Sequence, residues 1–173
     1  MDSIYLSFLQ ILSEKGARYL VAGGIAVNLY GCERMTRDLD IVLDLEDPPS
    51  MDAFFLACKT LNLAPLMPVE LEDFGRKTIR DAWIKEKHMR VFCLALCDNP
   101  FFRIDIFVEK PDGFNKMFDE RKTLKVENTG RTFDLNLVSL DDLIEMKKEA
   151  GRDKDLLDIN NLKKLKEYEQ IQL

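Results

Sequence analysis

The chain has one histidine, one tryptophan, and no uncharged run longer than the 14 residues from position 19 to position 32. A membrane-spanning helix needs about 18 or more apolar residues, and the pair Gly23-Gly24 interrupts this run, so no span is expected. With His88 as the single imidazole, a metal-dependent phosphohydrolase, which needs further His or Asp ligands, is disfavoured. The four cysteines (Cys32, Cys58, Cys93, Cys97) show no second Cys/His pair at zinc spacing. Cys93 and Cys97 fall in an apolar run that reads as a buried strand, so reduced thiols in a cytoplasmic protein are expected. There is also no basic excess. Twenty-five Lys and Arg stand against 31 Asp and Glu, a net charge of −6, which disfavours a general nucleic-acid coat. The first residues have no basic segment ahead of an apolar stretch, so no secretory signal is expected.

What is present suits a folded domain. Apolar residues make up 46% and charged residues 32% of 173 positions, in the ordinary globular range. No repeat, low-complexity tract or long linker divides the chain. A single domain over 1–173 is expected, with a sheet-containing core over 1–137 and C-terminal helices over 139–173. Helical spacing covers 1–15, 25–30, 51–61 (with Ser50 as N-cap after a Pro48-Pro49 turn), 112–121, 139–150 and 153–170. Strands are expected at 19–22, 36–44, 90–97 and 101–108. A hairpin at 124–127 and 131–137 turns on Asn128-Thr129-Gly130. Residues 62–88 carry no clear period. The class is α/β (α+β), with a mixed sheet flanked by helices.

Within 36–44, alternation puts Asp38 and Asp40 on one face and Leu39, Ile41 and Leu43 on the other. Carboxylates at i and i+2 sit about 6–7 Å apart and repel unless water or a cation lies between them. Alone, the pair also fits a solvated sheet face. The second strand adds Asp105, a single acid among apolar residues where strand propensity disfavours aspartate. If the two strands pair, three carboxylates form a hard oxygen site suited to Mg²⁺ or Mn²⁺. Two such ions are the common device for in-line phosphoryl displacement. Gly23-Gly24, between a strand and a helix, reads either as a plain turn or as a seat where backbone approaches a phosphate.

Gly23-Gly24-Ile25-Ala26, Gly31 and Arg34-Met35-Thr36-Arg37-Asp38-Leu39-Asp40-Ile41 together resemble the signature of the DNA polymerase β-type nucleotidyltransferase superfamily. Within it they are most similar to the small bacterial branch that includes AbiEii-type toxins. Residues 103–108 resemble the strand of the third carboxylate, and 139–162 more loosely resemble that branch's last helix pair. Many members have serine after the glycines where this chain has Ile25. The resemblance implies a nucleotidyltransferase fold and a metal-dependent, two-ion transfer of a nucleoside monophosphate from an NTP such as ATP to a hydroxyl. It also implies Asp38, Asp40 and Asp105 as catalytic metal ligands and Gly23 and Gly24 at the phosphates. The acceptor would be an RNA 3′ end such as tRNA, a protein or a small molecule, with an antitoxin as partner in the toxin case. A non-catalytic binding module with the same fold is the alternative.

The C-terminal helices offer an independent check. Lys147 falls inside the apolar stripe of Leu140, Leu143, Ile144 and Ala150, and Asp155 and Asp158 fall inside that of Ile159, Leu162 and Leu165. Charges misplaced on facing stripes predict a buried polar cluster. It is either a structural ion pair or a device in which Lys147 reaches the nucleotide phosphates while Asp155 and Asp158 orient it. Arg152 and Lys154 are further phosphate candidates. Arg34 and Thr36 are either nucleotide contacts or loop structure. Trp83, Phe54, Phe55, Phe92, Phe101 and Phe102 are expected in the core.

Overall fold

Alternating apolar positions commit the middle of the chain to strands, and their pairing decides where the acids go. In the computed structural model, which describes residues 3–97 and 99–171, the strands are β1 (Tyr19–Ala22), β2 (Asp38–Leu43), β3 (Leu63–Pro65), β4 (Val91–Leu96), β5 (Asn99–Phe107), β6 (Lys122–Asn128) and β7 (Arg131–Leu137). They form one sheet in the order β3-β4-β5-β2-β1-β7-β6. It is mixed, as expected: β2 with β5 and β1 with β7 run parallel, and the remaining neighbours antiparallel. The helices are α1 (Ser3–Glu14), α2 (Gly23–Leu29), α3 (Pro48–Thr60), α4 (Lys77–Lys87), α5 (Phe114–Asp119), α6 (Leu140–Ala150) and α7 (Asp153–Ile171).

One sheet face is sealed. Leu39, Ile41 and Leu43 of β2 and Ile104 and Ile106 of β5 are buried completely or nearly so. A run of rings lies over this face: Phe8 of α1, Phe54 of α3, Phe74 of a 3-10 turn (Leu71–Gly75), Phe92 of β4 and Trp83 of α4, with successive centroids 6.5, 5.1, 4.7 and 5.6 Å apart. Phe102 stacks on Tyr5 of α1 at 4.2 Å. Each fully buried ring contributes about 2–3 kcal/mol, so α1, α3 and α4 are held to this side. The core assignment holds for Trp83, Phe54, Phe92 and Phe102, while Phe55 is half-buried. The Phe101 side chain lies outside the described residues. The opposite face carries the acids and is bordered by α2, α6 and α7.

Several boundaries differ from the sequence expectation: β2 starts at Asp38 rather than Thr36, β5 starts at Asn99, α5 is shortened to Phe114–Asp119, β6 is widened to Lys122–Asn128, and three further differences have a local cause. Helix α3 starts at Pro48 rather than after it, because proline's fixed φ suits the first helical turn. Asp47, not Ser50, is the cap, and its carboxylate accepts from the Ser50 N–H at 3.0 Å. Helix α2 begins at Gly23 itself instead of resuming beyond the glycines. Cys97, expected within a buried strand, is exposed in the turn after β4. The pairing of β4 with β5 shifts register at Ala95 and Leu96, and the strand ends there. The unreadable stretch 62–88 becomes β3, the 3-10 turn and α4. No helix among the described residues is long and apolar enough to cross a membrane.

Candidate active site

Strands β2 and β5 pair Asp38 with Arg103 and Asp40 with Asp105. Paired residues share a face, as do residues two apart on one strand, so Asp38, Asp40 and Asp105 project from the same side. On the flanking strands Ala22 pairs with Asp40 and Cys93 with Asp105. One row across four strands therefore reads Ala22, Asp40, Asp105, Cys93.

The electrostatics of this row are strained by proximity. Burial, then the charges of Asp105 and Asp38, push the Asp40 carboxyl up to about 6, against a Gly24 N–H that donates to it and the nearby Arg152 guanidinium. Burial also holds Asp105 above the usual carboxylate range, opposed by the Cys93 thiol that donates to it and by Arg103. Asp105 Oδ1 is buried and has no hydrogen-bond partner. Among the described residues, no three His, Cys, Asp or Glu side chains already converge into a cation cage. With no cation between them, the three carboxylates repel one another. The residues nonetheless fit a hard divalent cation. They offer oxygen donors only, one orphaned carboxylate oxygen, and a repulsion that a positive charge would relieve.

The two glycines make room for the site's own side chains. A Cβ on Gly23, whose φ is +62°, would lie 1.9 Å from Asp40 Oδ2. A Cβ on Gly24 would lie 2.5 Å from Thr36 Oγ1 and 3.1 Å from Arg34 Cζ. Thr36 and Arg34 thus pack directly on the turn. Asn28 of α2 fixes the Arg34 backbone, donating to its carbonyl at 3.0 Å and accepting from its N–H at 2.9 Å.

The misplaced charges of the C-terminal helices do meet. Lys147 Nζ donates to Asp158 Oδ2 at 2.6 Å and Asp155 Oδ1 at 3.3 Å. Arg152 Nε donates to Asp155 Oδ2 at 2.7 Å, and Arg34 Nη1 to Asp158 Oδ2 at 2.5 Å. Burial raises Asp155's pKa, but the bonds from Arg152 and Lys147 outweigh it and hold the carboxyl below its usual range. Three cations against two carboxylates leave one net positive charge beside Asp40. Lys147 is 4% exposed at its side chain and Arg152 is 58% exposed. Lys147 is therefore the buried ion pair between helices, while Arg152 presents an open guanidinium. Lys154 is exposed on the first turn of α7 and takes no part in these bonds.

A cleft of about 870 Å³ opens from Gly23, Asp40, Lys147 and Arg152 toward a wall of Met89, Arg90, Phe107 and Met146. Sequence reasoning missed Cys93 as a partner of Asp105 and Asn28 as the brace of Arg34. Alternation does put Cys93 on one face of β4, but which face depends on a pairing that a single strand does not encode.

No family model and no curated protein matches the sequence. Solved structures do resemble it. A lincosamide antibiotic adenylyltransferase, LnuA, with lincomycin bound is similar over 95% of this chain and 98% of its own (TM-score 0.54, 14% identity). The antibiotic-resistance factor ANT(2'')-Ia is similar over 92% of this chain and 80% of its own (0.51, 14%). An antigenic nucleotidyltransferase-like protein from Paracoccidioides brasiliensis is similar over 92% and 74% (0.51, 14%). Sheet order, carboxylate row and these likenesses agree on one architecture, the mixed α/β nucleotidyltransferase fold.

Proposed function

We propose that the chain is a nucleotidyltransferase that moves a nucleoside monophosphate from an NTP to the hydroxyl of a small molecule. The observation that carries this reading is the register that sets Asp40 beside Asp105, with Asp38 on the same face, next to Gly23-Gly24. Asp38, Asp40 and Asp105 would hold Mg²⁺ or Mn²⁺. Bound there, the ions would offset phosphate charge and lower the pKa of the acceptor hydroxyl.

The chain's own groups do the rest. Arg34 and Arg152, steadied by Asp158 and Asp155, offer guanidinium edges to the triphosphate, for which a planar fork is well matched. Lys147 adds charge from behind them. Gly23 and Gly24 keep backbone and phosphates close. The acceptor oxygen attacks the α-phosphorus while the bond to the bridging oxygen breaks. Pyrophosphate leaves, and the hydroxyl proton passes to Asp105.

A small acceptor is favoured over RNA for two reasons. The cleft is of drug-sized volume, and its walls carry acids as well as bases, whereas a nucleic-acid groove is basic. The fold's likeness to an adenylyltransferase holding lincomycin points the same way. In the competing toxin-type case, with an antitoxin partner, tRNA would take the label.

The test is pyrophosphate release from each labelled NTP with Mg²⁺ or Mn²⁺ and panels of hydroxylated small molecules, proteins and tRNA. Asp38→Asn and Asp105→Asn should each lower release at least a hundredfold while the protein stays folded. Unchanged release would refute the reading.

A further inference from the structure

Cys93 sits at the end of the carboxylate row, and the proposed reaction does not use it. It is the register partner of Asp105 across β4 and β5, so its thiol projects from the carboxylate face. The thiol adjoins the Asp105 carboxylate, where an S–H directed at it favours the charged form. The other feature of that carboxylate is the opposite: Oδ1 is buried and unpartnered. A buried carboxylate oxygen without a donor is rare in folded proteins and marks a group kept open for something else. An ordinary thiol is protonated at neutral pH, so Cys93 there has an S–H to donate.

We infer that Cys93 is a positioning residue, whose thiol holds one edge of the Asp105 carboxylate so that Oδ1 faces the position between Asp105, Asp38 and Asp40 where a divalent cation binds. The inference rests on the functional reading of the three carboxylates. A thiol suits the task because it is a weak donor. It orients the carboxylate without withdrawing much of the negative charge that a cation needs. Partners that orient a ligand from behind contribute about tenfold to a hundredfold in metal affinity. No other cysteine has such a place. Cys58 is buried, Cys97 is exposed beyond the strand, and Cys32 lies after α2.

The experiment is a titration of the full chain with Mn²⁺ alone, followed by electron paramagnetic resonance, with melting temperature recorded for every variant. Asp105→Asn sets the loss expected when the ligand itself is removed. Cys93→Ala should weaken Mn²⁺ binding about tenfold with little change in melting temperature, and Cys93→Ser should restore most of it. Cys93→Val, matched to a strand and lacking a donor, repeats the test if the alanine variant does not fold. Unchanged affinity in the alanine or valine variant, with Asp105→Asn still defective, overturns the positioning role alone. If the wild-type chain binds no Mn²⁺, the carboxylate reading falls and the positioning role falls with it.

Discussion

Replacing Asp40 by Asn should stabilise the protein above pH 6 while abolishing its proposed activity. The Asp40 carboxyl rises from 3.8 to about 6 on folding, because burial and two neighbouring acids oppose its charge. The native state therefore binds more protons than the unfolded state between about pH 4 and pH 6, and stability falls as pH rises through that window. Roughly two units at 1.36 kcal/mol each imply on the order of 2–3 kcal/mol lost by pH 7. Asparagine removes the charge but keeps a carbonyl oxygen that accepts the Gly24 N–H. In a domain of this size, Asp40→Asn should raise the melting temperature by roughly 5–10 °C at pH 7.5 in EDTA. The gap should shrink to about 0.5 kcal/mol near pH 4, where Asp40 is protonated in the native state and roughly half protonated in the unfolded state. Adding Mn²⁺ at pH 7.5 should raise the melting temperature of the wild type and leave the variant nearly unchanged. Calorimetry from pH 4 to pH 8 makes the measurement. A variant no more stable at pH 7.5, or a gap of constant size at every pH, would refute the electrostatic argument.

Gly23→Ala meets both a positive φ and the Asp40 carboxylate, whereas Gly16→Ala at φ +72° meets open space. In urea the first should lose about 1–2 kcal/mol more than the second, and equal losses would assign the whole effect to backbone strain. Lys147→Met leaves two carboxylates with less countercharge inside the protein and should destabilise it by about 3–5 kcal/mol; a change under about 1 kcal/mol in chemical denaturation would contradict the ion-pair reading. Arg152→Ala removes a largely exposed guanidinium. It should raise the KM for NTP about tenfold with a melting temperature within a few degrees of wild type, and an unchanged KM would remove Arg152 from the nucleotide site.

Much of the site was legible because its signals are local. Strict alternation through Asp38-Leu39-Asp40-Ile41 fixes which side chains share a face whatever the strand pairs with. Lys147, Asp155 and Asp158 are out of place on apolar stripes, and such charges must find each other when the stripes pack. Capping chemistry at Ser139 and the left-handed stop at Gly151 define α6 in both readings. Residues 62–88 were opaque because β3 is three residues long, and the aromatic run across Phe74, Trp83 and Phe92 draws them into shape.

The sequence by itself determined the α/β class, most element positions, the pairing of Asp38 with Asp40 on one face, and the charged cluster of the last two helices, since each depends on periods within one segment. Only the tertiary structure decided that Asp105 stands beside Asp40, that the glycines make room for Asp40, Thr36 and Arg34, and that Cys93 backs the third carboxylate. Those facts are inter-strand register and close approach between distant segments, and a one-residue slip of β5 would turn Asp105 to the sealed face without changing any local preference.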